Sequence, residues 1–252
     1  MNRRFFLTAL GGLALCPVCA PIGFAADNAH PHWSYEGASG PTAWGNLDAA
    51  NKVCSIGAQQ SPIELGGAIK AQVEKLDIQW KRGADTIVNN GHTIQLNFSP
   101  GSTLTLGKGR FDLLQVHFHR PSEHTIGGKN FPMEAHFVHR NDKGLAVIGA
   151  MLTPGKANPA FAKIVATMPE KEGPAAKADA AIDASALLPK GRGYYRYEGS
   201  LTTPPCSEVV DWLVMADPVS VADSDIAKFA KLYPMNARPV QGDNRRFVLR
   251  SL

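Results

Sequence analysis

The chain has 252 residues, 44% of them apolar or aromatic and 19% charged. That is ample material for a large core, and it excludes a disordered tail, a collagen-like chain and a coiled coil. Lys and Arg number 26 against 22 Asp and Glu, a net charge of +4. No basic cluster beyond the N-terminus resembles a nucleic-acid footprint, and no later apolar run reaches the roughly 18 residues a membrane span needs.

The first 25 residues read as a secretory signal. Arg3-Arg4 precedes the apolar stretch Phe5 to Leu15, and Gly23-Phe24-Ala25 supplies a small-residue exit. Arg3-Arg4-Phe5-Phe6-Leu7 also resembles a twin-arginine export signal, whose cargo crosses already folded; a general secretory leader is the alternative. Cys16 and Cys19 fall inside this leader and are expected to leave with it. The expected mature chain, 26–252, carries 24 basic and 22 acidic side chains, a net +2. Its two cysteines, Cys54 and Cys206, are an even pair in an exported, periplasmic chain, which favours a disulfide over two separate buried thiols. Closing so long a loop contributes about 5 kcal/mol in the chain-entropy treatment, as an upper figure.

From Leu76 onward, short alternating or apolar runs are separated by turn residues. Thr93 to Phe98, Asp112 to His119, Ala135 to His139, Leu145 to Leu152 and Val209 to Ala216 predict strands, punctuated by Asn90-Gly91, Pro100-Gly101 and Asn141-Asp142-Lys143-Gly144. Phe161, Ile164, Val165 and Met168 recur at helical spacing before Pro169, as do Ile226, Phe229, Ala230 and Tyr233 before Pro234. Glu170 to Asp183, rich in Ala, Lys and acids without period, reads as an exposed excursion. The fold expected is mainly β with some α: a single domain on a large twisted, mostly antiparallel sheet with short surface helices.

His117-Phe118-His119 is an H-x-H in a strand pattern, so both imidazoles lie on one face and Phe118 on the other. In Glu134-Ala135-His136-Phe137-Val138 the same alternation places Glu134, His136 and Val138 together. If the turn-rich segment between them folds the second strand back beside the first, His136 completes a triangle with His117 and His119. Three neutral imidazoles with no fourth protein ligand form the open tetrahedral zinc site, its last corner holding water. An isolated H-x-H carries little weight. Gln115 and Glu134 strengthen it, because each shares a strand face with the histidines and offers an oxygen to the ring N–H that does not face the metal.

These residues, with Ser122-Glu123-His124-Thr125, Phe131 to His139 and Gly199-Ser200-Leu201-Thr202-Thr203-Pro204-Pro205-Cys206, closely resemble the α-class carbonic anhydrases. Trp33-Ser34-Tyr35, Gln60-Ser61-Pro62-Ile63, Asn89-Asn90-Gly91-His92 and Asn236 to Pro239 extend the match from about Trp33 to the C-terminus, in order. The resemblance implies Zn2+ on His117, His119 and His136, with a zinc-bound hydroxide attacking carbon dioxide to give bicarbonate. It implies that Thr202 accepts a hydrogen bond from that hydroxide and donates its own to Glu123, that Thr203 contacts water and bicarbonate, and that His92 shuttles the proton out past Tyr35, Asn90 and Gln95. Val138, Val147, Leu201, Val210 and Trp212 correspond to the apolar wall where carbon dioxide rests, and Cys54–Cys206 to a bridge that exported members carry. His124, His139, His30 and His32 receive no catalytic part: the first two read as structural and the last two as solvated. The sequence departs from the family pattern at Ser34, where glycine is usual, and in the Glu170–Asp183 excursion, for which no counterpart is evident.

Two rival readings compete with this one. An inactive or weak carbonic-anhydrase-like binding module arises when a ligand histidine is lost, and none is lost here. A zinc esterase would be expected to carry a carboxylate base near the metal, as in H-E-x-x-H, and the sequence has none. Family members outside the cytoplasm often pair as homodimers, but no patch in the sequence marks an interface.

Overall fold

The computed structural model describes residues 32–252. The signal segment, Cys16, Cys19 and His30 lie outside the described residues. The centre of the fold is one mixed sheet, of 13 strands among the described residues. Its middle runs, in spatial order, through Tyr194–Gly199, Val210–Met215, Leu145–Pro154, Met133–Arg140, Gly109–His119, Ile94–Asn97 and Thr86–Asn89. Most neighbours are antiparallel; Leu145–Pro154 and Val210–Met215 run parallel. The expected fold class holds, and each predicted strand is present with its bounds moved by a few residues. No helix among these residues is long and apolar enough to cross a membrane.

The two faces of the sheet have different tasks. On one, Phe118, Phe137, Ile148 and Leu152 pack against the helices Pro159–Thr167 and Asp223–Leu232, with Phe161 and Phe229 meeting Phe118 edge-on at 5.5 and 6.2 Å. Asn158 caps the first helix, its Oδ1 accepting from the Ala160 and Phe161 amides, while Pro159 occupies the first turn, where no backbone donor is needed. On the other face, Val138, Val147, Val210, Trp212 and Val214 form a second buried cluster.

The sequence alternation alone would set Leu113 beside Gln115 and His117. A β-bulge between Leu113 and Gln115 changes the phase instead. Leu113, Val116 and Phe118 then all enter the helix-side core, while Leu114 is left exposed. The Glu170–Asp183 excursion also differs from expectation. Ala176–Lys177 adds an edge strand to Thr86–Asn89, and Ala178 and Ile182 are buried in the helix-side core. A few apolar residues without period are enough to anchor a segment that looked wholly solvated.

His139 lies on the face opposite the other strand histidines, buried against Trp80, whose indole N–H donates to Nε2 (3.2 Å) while Nδ1 meets the Ala146 carbonyl (3.2 Å). Burial pushes its pKa down to about 4, against the opposing pull of the Ala146 and Phe137 backbone. Since the unfolded chain titrates near 6.5, this residue's contribution to stability is present above that pH and lost as pH falls toward about 4. In an NMR titration the His139 ring should stay neutral until the pH nears 4. Ordinary titration near 6.5 in the folded protein would contradict its placement.

Candidate metal centre

His117, His119 and His136 arise from adjacent antiparallel strands in direct register, His117 opposite His136 and His119 opposite Glu134. One ring nitrogen from each histidine lies within 4.8 Å of the others. What leaves these nitrogens free to bind an ion is the partner at the far side of each ring. His119 Nδ1 meets the Asn236 carbonyl at 2.8 Å, and His117 Nδ1 meets Gln115 Oε1 at 2.7 Å. Both oxygens only accept, so each Nδ1 carries the proton and Nε2 keeps a lone pair. His136 is reversed: its Nε2 lies 3.0 Å from Glu134 Oε1, leaving Nδ1 as the free nitrogen.

Burial, followed by mutual crowding, pushes the His117 pKa well below its ordinary value. Burial lowers His119 to about 4 and also lowers His136, despite the nearby carboxylates. All three rings are thus neutral near pH 7. His119 Nε2 is buried without a hydrogen-bond partner, a costly state that a metal ion would relieve. Three convergent lone pairs of this kind, all nitrogen, suit zinc.

Glu134 does more than face one ring. Its Oε2 accepts from the amides of Glu123 and His124, both at 3.0 Å, and its Oε1 meets His124 Nδ1 at 2.8 Å. Burial pushes Glu134 up, but His124 and His136 outweigh it and hold the group well below the usual carboxylate range. Gly149 makes room for it: a Cβ there would lie 2.7 Å from Glu134 Oε1. His124 Nε2 continues to the Tyr197 hydroxyl (2.6 Å), then to Ser61 Oγ (3.0 Å), which also accepts from the Ser200 amide (3.0 Å). His124, Glu134 and His136 are close enough to form a second trio of metal-ligating groups. Their nitrogens and oxygens already face one another, so this trio reads as a support for His136.

Glu123 Oε2 stands 3.5 Å from His119 Nε2 and 3.8 Å from His136 Nδ1, and Oε1 accepts from the Arg238 amide at 2.8 Å. The Thr202 hydroxyl is close enough to the same carboxylate to favour its ionised form. Burial raises Glu123 to about 7, against His136, the Arg238 amide and Thr202; a divalent cation beside it would draw it back toward the ionised form. A cavity of about 110 Å³ opens over His117 and His119, lined also by Tyr35, Asn90, His92, Gln95, Gln115 and Thr203. Val138, Val147, Val210 and Trp212 form one buried apolar surface with Leu201 against it, and Trp212 meets His136 edge-on at 4.8 Å.

Residues 39–251 match the family described as eukaryotic-type carbonic anhydrase. A carbonic anhydrase from Pectobacterium carotovorum is 44% identical over 220 residues, 86% of this chain and 90% of its own. The structure of an α-carbonic anhydrase from Thermovibrio ammonificans, bound to the inhibitor sulfanilamide, superposes with a TM-score of 0.85 at 43% identity, covering 87% of this chain and 99% of that one. A hyperthermostable carbonic anhydrase from a hydrothermal vent chimney gives 0.85 at 46% identity, with 88% and 100% covered. The chain belongs to the carbonic anhydrase family.

Several side chains that shape this carbonic anhydrase site had no assigned role at the sequence level. Asn236 supplies the carbonyl facing His119, while its side-chain amide donates to the carbonyls of His92 and Phe118. Arg238 presents its amide to Glu123 and, itself buried, donates to the Ser61 and Cys54 carbonyls. Asn236 to Pro239 belonged to the resemblance, but a backbone contact leaves no signature in residue type. His124, read as structural, is the direct partner of Glu134. His32, read as solvated, is exposed yet stacks near His92, with ring centroids 5.1 Å apart.

Cys54 and Cys206 are joined across a sequence separation of 152. The bridge ties the short Val53–Ile56 helix to the loop carrying Thr202, and Gln60 Nε2 reinforces it by donating to the Cys206 carbonyl at 3.1 Å. Replacing both cysteines with serine should cost about 2–5 kcal/mol of stability, measured by denaturant unfolding. An unchanged unfolding free energy would show that the bridge constrains nothing.

Proposed function

We propose that the protein catalyses the reversible hydration of carbon dioxide to bicarbonate and a proton, with zinc held by His117, His119 and His136. The observation that carries this reading is the set of three neutral imidazoles, one ring nitrogen of each within 4.8 Å of the others. Zinc bound there supplies a Lewis acid that lowers the pKa of a water ligand to about 7, a property for which carbonic anhydrase is the usual example.

The remaining work falls to the chain. An ionised Glu123 can only accept, so the Thr202 hydroxyl donates to it and keeps its own lone pairs for a proton-bearing oxygen in the cavity. That fixes which way the reacting oxygen turns its proton and its nucleophilic electrons. Thr203 adds a hydroxyl on the same wall for water or bicarbonate. Val138, Val147, Leu201, Val210 and Trp212 offer carbon dioxide a surface on which a nonpolar molecule competes well with water. Gln115, Glu134 and the Asn236 carbonyl fix the tautomers of the ligands. His92, at the cavity mouth beyond Tyr35, Asn90 and Gln95, takes up the proton released by hydration and passes it to buffer.

We further infer that residues 1–25 are a cleaved export signal and that the mature 26–252 chain works in the periplasm. The Cys54–Cys206 disulfide, which needs an oxidising compartment to persist, supports this.

Treatment with a chelator should abolish carbon dioxide hydration, and stoichiometric zinc should restore it. Full activity in the metal-free protein would exclude the reading. Thr202→Ala should retain zinc yet lose about 100-fold in kcat, and undiminished turnover would remove the hydroxyl from the mechanism. Glu134→Ala should bind zinc about 10–100-fold more weakly, read by competition with a chromophoric chelator. His92→Ala should slow turnover and be partly rescued by imidazole buffer; indifference to both would place the proton exit elsewhere.

A further inference from the structure

The segment following the Pro159–Thr167 helix is docked on the turn that carries His92. Asn89 Nδ2 donates to the Pro169 carbonyl at 3.1 Å, the Gly173 amide donates to the Asn89 carbonyl at 3.2 Å, and the Tyr233 hydroxyl bonds Asn89 Oδ1. Between the first two contacts lies Glu172. Gly91, at φ +83°, has no side chain, and a Cβ there would lie 2.8 Å from Glu172 Oε2. The missing side chain therefore leaves a seat for the carboxylate one residue from His92. Glu172 belongs to the stretch for which the family resemblance offered no counterpart.

His92 is half-buried. Its ring stacks on Trp33 at 3.6 Å and 9°, with His32 at 5.1 Å and Tyr35 edge-on at 6.5 Å. The titratable groups around it are His32, Tyr35 and Glu172, with Tyr233 next to Glu172 and Gly91. Burial and, after it, His32 disfavour a proton on the ring, whereas Glu172 favours one.

We propose that Glu172 is a positioning residue for proton export: its carboxylate stabilises the imidazolium of His92 and so keeps that ring an effective proton acceptor at the cavity mouth. The inference rests on the reading of His92 as the shuttle. Only N–H and O–H bonds change in the step; the proton passes from the hydration reaction to His92 and then to buffer. Stacking on Trp33 and partial burial make His92 a poorer base than a free imidazole, and a fixed anion beside it offsets that loss. Because Glu172 is exposed, its effect is modest and weakened by salt.

The test is an NMR titration of His92 in the zinc-loaded wild type, Glu172→Gln, Glu172→Lys and Glu172→Asp, paired with stopped-flow hydration at low buffer. Glu172→Gln should weaken proton binding at His92 about threefold, Glu172→Lys should weaken it further, and Glu172→Asp should restore it. The buffer-limited kcat should fall in the same order with kcat/KM unchanged, and high salt should narrow the differences. A His92 titration identical in wild type, Glu172→Gln and Glu172→Lys would overturn the inference. If the titration shifts but kcat does not, and His92→Ala is equally silent, the shuttle reading has failed instead.

Discussion

The pairing of His117 with His136 across two antiparallel strands sets the geometry of the candidate site. Register puts the rings on one face, and acceptor-only oxygens behind the rings decide which nitrogen keeps a lone pair. Neither suffices alone. Three histidines in register with the wrong tautomers would present N–H groups to one another, and correctly held rings on different faces would not converge. The bulge at Leu114 belongs to this constraint, since it lets Leu113 enter the opposite core while Gln115, His117 and His119 keep to the metal side.

Stability and chemistry are joined at the same places. Glu134 satisfies two backbone amides and His124 while facing His136, so a group that holds one ring of the candidate site also closes a buried hydrogen-bond network. Arg238 and the Cys54–Cys206 bridge together fasten the N-terminal segment, the Glu123 carboxylate and the Thr202 loop to one another. The loops that carry Glu123 and Thr202 are held by contacts between residues more than a hundred positions apart, which is how irregular backbone can keep a fixed geometry.

Much of this was legible in the sequence. Strand parity alone put His117 with His119 and Glu134 with His136, and helical spacing ended at Pro169 and Pro234 located both longer helices. Other features were hidden for physical reasons. Asn236 and Arg238 act partly through backbone atoms, which any residue possesses, and their partners lie far away in sequence. The bulge is an extra residue in a strand that otherwise alternates normally. Glu172 lay in a segment without hydrophobic period, whose docking depends on two backbone carbonyls and the absence of a side chain at Gly91. Thr202 and Glu123 were visible only through family resemblance, because a loop threonine and a lone acid carry no pattern of their own.

On this account the ion sits on three imidazoles and on nothing else the chain provides. Anomalous diffraction at the zinc edge, on crystals of protein with measured metal content, tests it most directly. The expected result is one zinc per chain, bonded to His117 Nε2, His119 Nε2 and His136 Nδ1. A protein purified without stoichiometric metal, or an ion seated instead among His124, Glu134 and His136, would contradict it.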